Sequence, residues 1–280
     1  VKPIQRIANV FTDFNIFIGC CALALVFTNQ LTVTGEIHFD YSAWFILSVT
    51  IFTYACLKKL GLHQPGHYTW QNSQIVRNEL LISGMAAVCF FFLLPQQAEV
   101  VFLFLLAVTG LVGFVEVPFT RQKFKLRDLG FVKIVFVATA WSVATVIIPL
   151  SCKQVRTGLI IFLLLRSFLF VLAITMAFDI KDMEEDKQNG LDTLPLVIGV
   201  SNTKLIAQAV LFLLLSINTA EYLFFQIPFT NMIDINLSVL LAIVIVQLAE
   251  EETADWWYYF VLDGLMIAQF MMVYAAKYFG

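Results

Sequence analysis

The run TGLIIFLLLRSFLFVLAITMAF, Thr157–Phe178, passes without interruption into DIKDMEEDKQNGLDTLP, Asp179–Pro195. The first half is long and apolar enough to cross a bilayer as a helix, which takes about 20 residues. The second half is the densest cluster of carboxylates in the chain. An apolar run of this length that ends abruptly in acidic residues is the pattern of a membrane span delivering a polar loop to one surface.

Working outward, comparable apolar stretches lie near residues 11–29, 42–59, 79–96, 98–118, 130–150, 203–227, 235–249 and 256–277, which with 157–178 makes about nine transmembrane helices. Composition agrees: 60% hydrophobic and 13% charged residues, with a mean hydropathy of +0.85, leave too little polar surface to coat a soluble globule of 280 residues. The net charge of -3 provides no field for nucleic acid, so no nucleic-acid partner is expected. No linker, low-complexity tract or repeat divides the chain, so residues 1–280 read as a single polytopic all-α membrane domain.

Basic residues orient such a bundle. With a cytoplasmic N-terminus, 13 of the 17 Lys and Arg fall on the cytoplasmic side, three on the other, and Arg166 inside a span. The expectation is a multi-pass protein of the cell (plasma or inner) membrane, with its acidic loop on the cytoplasmic side. The first apolar run has the outline of a signal peptide but carries Asp13 and Asn15, and reads as an uncleaved first span.

If the helix continues past Phe178, Asp179, Asp182 and Asp186 stand at i, i+3 and i+7 on one face. Like charges so placed repel unless a cation neutralises them, and Mg²⁺ is held by a few carboxylates together with phosphate oxygens. The spacing predicts Mg²⁺ and, through it, a diphosphate. Gly190 reads as the helix C-cap and Thr193-Leu194-Pro195 as the turn into the next span. The plainer reading is a solvated acidic loop.

Asp179, Asp182, Asp186, Gly190 and Thr193-Leu194-Pro195 resemble the second aspartate-rich signature of the UbiA superfamily of intramembrane prenyltransferases, D-x-x-D-x-x-x-D followed by Gly and T-L-P. Nine spans with this signature between the sixth and seventh are also as that superfamily has them. The resemblance implies helices around a central cavity, Mg²⁺ on the diphosphate of an isoprenyl donor, and transfer of the prenyl group to an aromatic or other lipophilic acceptor. The 28 Phe residues are enough to line a prenyl groove. The superfamily's first signature, N-D-x-x-D-x-x-x-D at the end of the second span, has no counterpart: Phe52–Gly61 contains no carboxylate. Lys58 and Lys59 stand there instead. In Arg121–Asp128, Lys125 and Arg127 are similar in position to a basic loop that contacts diphosphate, which makes Lys58, Lys125 and Arg127 candidate diphosphate ligands. No catalytic residue beyond these is assigned. A non-catalytic UbiA-like protein and a cation-binding carrier are the alternatives; a carrier lacks the paired broken helices it would need.

Arg166 inside a span demands a partner, and Asp263 in the ninth span is the expected one. Cys20, Cys21, Cys56, Cys89 and Cys152 show no metal-ligand spacing and read as small buried hydrophobes. Asp13 and Asn15 read as interfacial caps, His63 and His67 could serve as acid-base groups near the active face but have no carboxylate or histidine partner at a telling spacing, and Glu250–Glu252 read as a solvated loop before an aromatic belt at Trp256–Tyr259.

Overall fold

A computed structural model of the protein describes residues 15–60, 74–114, 116–117, 124–125, 130–151, 153–188 and 190–279. Its helices are α1 (Ile16–Thr34), α2 (Tyr41–Lys59), α3 (Gln74–Phe91), α4 (Gln96–Phe114), α5 (Gly130–Leu150) and α6 (Thr157–Lys181), followed by the short α7 (Met183–Gln188) and α8 (Leu194–Ile198). Then come α9 (Val200–Phe225), α10 (Phe229–Gln247), and a last rod made of α11 (Asp255–Trp257), a π-turn (Tyr258–Leu262) and α12 (Gly264–Phe279). The protein is all-α; among the described residues the strand pairing is confined to β1 (Glu116–Val117) against β2 (Phe124–Lys125), two residues each.

Helical rods stand where the nine spans were expected, and among the described residues seven are long and apolar enough to cross a membrane. The other two are α3 and α4. Arg77 and Glu79 stand in the first turns of α3, and α4 is a 19-residue helix, apolar as far as its side chains are described, over Gln96–Thr109. The boundaries shift by several residues from those expected. α1 begins at Ile16 rather than 11 and runs until Gly35 adopts φ 71, a left-handed stop. The eighth span looked short because Asn231, Asp234 and Asn236 obscure it, yet α10 starts directly after Pro228 and covers 19 residues.

Packing closes a ring: α1 on α12, α12 on α10, α10 on α9, α9 on α6, α6 on α5, and α5 back on α1. Outside it, α2 packs on α1, α3 and α5, and α4 packs on α5. One core cluster draws on every member of the ring, with Cys21, Ala138, Phe170, Ala173, Leu211, Val239 and Leu265 among its residues. The faces turned away from the core carry Leu81, Ile82, Met85, Phe104, Phe212, Leu223 and Val244, all exposed. Water penalises such a surface, whereas lipid accommodates it, since an α-helix pairs its backbone polar groups within itself.

Arg166 is fully buried in α6, but its partner is Glu221 of α9, at 3.1 and 3.2 Å from Nη1, rather than Asp263. Its Nη2 donates to Asn29 Oδ1 at 2.9 Å and to Thr32 Oγ1 at 3.2 Å, both on α1. The expectation compared depth alone; the packing order decides the partner, because α6 lies along α9 and not along α12. Other local expectations are corrected as well. Asn15 stands at the N-cap of α1 without capping it, and its amide instead donates to Glu79 Oε2 on α3 at 3.1 Å. Cys21 is buried, Cys56 is half-buried, and Cys20 and Cys89 are exposed. Asp13, His63, His67 and Cys152 lie outside the described residues.

Candidate functional site

The site is built where α6 runs out. The α-helix ends at Lys181, and Asp182 takes φ -85, ψ 5 while its amide still donates to the Phe178 carbonyl at 3.1 Å. The chain then recoils into α7, with the Asp186 amide on the Asp182 carbonyl at 2.8 Å. Gly190 caps this segment at φ 68, with its amide on the Lys187 carbonyl at 3.2 Å. Thr193, expected to open a turn, is instead the N-cap of the single-turn helix α8, with Pro195 in its first turn. Gly199, at φ 86 and ψ 156, then feeds the chain into α9.

The irregularity at Asp182 sorts the three aspartates. Asp179 and Asp186 are buried, at 2% and 5% exposure, whereas the Asp182 side chain is 33% exposed. Asp179 Oδ1 lies 3.9 Å from Nζ of Lys133, on the first turn of α5, which attracts it while Asp182 and Asp186 repel it. Burial pushes the Asp186 carboxyl up from the ordinary carboxylate range. Lys133 opposes that shift, Asp182 adds to it, and the Thr193 hydroxyl beside it draws it down without closing a hydrogen bond of ordinary geometry. Asp179 Oδ2 and Asp186 Oδ2 are both buried without a hydrogen-bond partner. Among the described residues no three His, Cys, Asp or Glu side chains close into a ready-made metal cage.

That combination fits Mg²⁺. The ion keeps waters and phosphate oxygens and takes only one or two carboxylates from the protein, so two inward carboxylates with spare acceptor atoms are a suitable donor set. Asp182, at the rim, pairs with Lys181 at 3.3 Å. Lys181 is the hub of that rim: Nζ also lies 3.5 Å from Asp255 Oδ1, donates to the Tyr259 hydroxyl at 3.1 Å, and sits 4.9 Å over the Tyr259 ring. The loop before the last rod is fastened to the same corner, with the Tyr258 hydroxyl donating to the Glu250 carbonyl at 2.8 Å and Phe178 packed against both tyrosine rings.

Of the expected diphosphate ligands, Lys58 is buried at 2% exposure near the end of α2, one turn beyond Tyr54. Lys125 lies in β2, opposite Glu116, and Arg127 lies outside the described residues. Sequence reasoning counted Lys133 and Lys181 only as topology charges and read Tyr259 only as part of an aromatic belt. The signal that could have found Lys181 was its place inside the acidic motif itself; nothing in the sequence connects Lys133 or Tyr259 to it.

A family model described as the UbiA prenyltransferase family matches residues 73–273, so the match begins after α2, the helix without carboxylates in its last turns. No curated protein matches the chain by sequence. Among solved structures, an apo UbiA homologue from Aeropyrum pernix K1 superposes with a TM-score of 0.60 at 10% identity, over 92% of this chain and 98% of that one. A UbiA homologue from Archaeoglobus fulgidus bound to DMAPP and Mg²⁺ gives 0.59 at 10% identity, over 93% and 98%. A structure from work on digeranylgeranylglyceryl phosphate synthase in membranes gives 0.59 at 12% identity, over 95% and 99%. At these identities the likeness is one of fold.

Proposed function

The chain belongs to the UbiA prenyltransferase family, and from that premise we propose that it transfers an isoprenyl group from a prenyl diphosphate to an aromatic or other lipophilic acceptor within the bilayer. The observation that carries this reading is the pair of buried, unpartnered carboxylate oxygens on Asp179 and Asp186, set beside Lys133 where α6 ends. Asp179 and Asp186 would hold Mg²⁺ from the interior and Asp182 from the rim. Mg²⁺ bound there supplies positive charge against the departing diphosphate. The Archaeoglobus fulgidus homologue is known bound to DMAPP or GPP with Mg²⁺, which supports the donor class.

The remaining charge falls to ammonium and guanidinium groups. α2 brings no carboxylate to the site but buries Lys58 near its end, so the donor would be gripped by one metal cluster and by Lys58, Lys125 and Arg127, with Lys133 close to the carboxylates. An allylic cation released there would be enclosed by apolar and aromatic side chains, whose ring faces stabilise positive charge. The basic asymmetry of the loops supports a cytoplasmic position for this end of the bundle, in the plasma or inner membrane.

A second reading, a UbiA-like protein without catalysis, is favoured by one observation: the end of α2 lacks the acidic cluster that would complete a second metal position. One experiment separates the two. Binding of a non-hydrolysable geranyl diphosphate analogue to the detergent-purified protein is expected to require Mg²⁺ and to vanish in the Asp179→Asn, Asp186→Asn double variant. Equal absence of binding in wild type and variant refutes the donor site.

A further inference from the structure

With Arg166 paired to Glu221, Asp263 is left without the cation expected for it. It is 7% exposed, and among the described residues neither a basic side chain nor a side-chain hydrogen bond engages its carboxyl. An acidic residue inside a membrane span faces protein or a polar ligand and marks function by default.

Its surroundings are specific. Asp255, Tyr259 and Asp263 recur every four residues along the last rod. The π-turn, in which the Asp263 amide reaches back five residues to the Tyr258 carbonyl at 3.2 Å, re-phases the helix at this point. Asp255 and Tyr259 meet Lys181 at the rim of the acidic site. Asp263 stands about 12 Å further along the rod than Asp255 and about 6 Å beyond Tyr259, from a rise of about 1.5 Å per residue. There Tyr54 of α2 and Trp141 of α5 pack against the same core cluster as Cys21 of α1 and as Leu262 and Leu265, which flank Asp263 on the last rod, and Tyr54 is close enough to Asp263 to interact with it electrostatically. The Cys21 thiol donates to the Asp263 backbone carbonyl at 3.3 Å, leaving the carboxyl itself unengaged. A carboxylate accepts up to about four hydrogen bonds, and one tyrosine hydroxyl supplies at most one.

We propose that the Asp263 carboxyl and the Tyr54 hydroxyl form the polar end of the acceptor site, holding the hydroxyl of an aromatic acceptor whose ring lies between them and the diphosphate end. This rests on the donor-site reading above for its direction, since the stripe on the last rod leads from the Lys181 rim inward. Asp263 sets which acceptors are admitted, because a ring without a donor group would leave the buried carboxyl unsatisfied, and the Tyr54 hydroxyl orients the group so held.

The test uses the full chain in detergent with 1,4-dihydroxynaphthalene as probe. Dicyclohexylcarbodiimide, a membrane-soluble carboxyl reagent, is expected to label Asp263 in the free protein, and a saturating concentration of the probe to suppress that labelling. Probe affinity by equilibrium dialysis is expected to fall about tenfold or more in Asp263→Asn and in Tyr54→Phe, the loss that goes with a hydrogen bond to a charged group, and to recover in Asp263→Glu. Tyr54→Phe removes a single oxygen, which keeps the comparison available if Asp263→Asn does not fold. Asp263 that resists the reagent in the free protein, or is labelled equally with and without the probe, overturns the proposal, as does unchanged affinity in both variants. Binding of the geranyl diphosphate analogue with Mg²⁺, measured on the same samples, is expected to stay as in wild type. Its absence from wild type would refute the donor site while leaving the shielding of Asp263 as an independent result.

Discussion

Arg166 is a charge buried inside a membrane-spanning helix. Its guanidinium is out of reach of water, yet four hydrogen bonds to Glu221, Asn29 and Thr32 replace the solvent it lost. Removing one partner leaves the other uncompensated, so Glu221→Gln is expected to cost about 3–5 kcal/mol. Thermal unfolding in detergent checks this. Replacing both charges together, Arg166→Met with Glu221→Leu, is expected to cost much less, since no orphan charge remains; equal losses in the single and double variants would show that the pair's charges are not what matters. The same scale exposes what could be read in advance. The need of Arg166 for a partner was legible, because the cost of an intramembrane charge is general. Its identity was not, because depth along a helix is written in sequence whereas azimuth and neighbour order are set by packing. The three aspartates behaved likewise: their spacing was plain, but the break at Asp182 that turns two inward and one outward leaves no trace in the residues themselves.

At the scale of elements, the hairpin from α6 through α7 and α8 into α9 depends on two glycines with different backbone needs. Gly190, at φ 68, occupies the left-handed region, and a Cβ there would meet nothing within 4 Å. Gly190→Ala is therefore expected to cost only the backbone term of about 1–2 kcal/mol, with Gly190→Asn recovering much of it. Gly199, at φ 86 and ψ 156, lies in a region essentially closed to other residues. Gly199→Ala and Gly199→Asn are both expected to cost about 1–3 kcal/mol and to loosen the start of α9. Rescue by Asn at position 190 but not at 199, read by thermal unfolding, is the discriminating result. Long apolar rods were legible because a bilayer demands a minimum length of apolar helix. The start of α3 and the π-turn were not, the first because Arg77 and Glu79 hide it, the second because one extra backbone residue alters no side-chain pattern.

For the whole molecule, the acidic site sits at one end of a bundle whose stability lies in apolar packing and in the Arg166 cluster rather than in the metal. Chelation with EDTA is accordingly expected to abolish binding of the prenyl diphosphate analogue while leaving helix content by circular dichroism unchanged. Adding the analogue at 100 times its Kd with Mg²⁺ is expected to stabilise the fold by about 2.7 kcal/mol, and adding it without Mg²⁺ to do nothing. Loss of helix on chelation would mean that the ion is structural. That carboxylates gather at one end of the bundle was legible from the aspartate spacing. The contributions of Lys133 and Tyr259 required the fold, since they come from rods far apart in sequence that meet only when the ring closes.

The Arg166 cluster also sets an order of events during synthesis. Its members enter the membrane at very different times: Asn29 and Thr32 arrive with the first rod, Arg166 follows 137 residues after Asn29, and Glu221 comes a further 55 residues later. At about 5–20 residues per second, Arg166 waits roughly 3–11 seconds for its counter-charge. Through that interval an unpaired Arg166 at its final depth in bare lipid costs α6 a few kcal/mol, about 2.5–3.5 on insertion scales. The first rod, with Asn29 and Thr32 already in place, is the polar shelter at hand, which makes α1 a holding partner for α6 until α9 emerges.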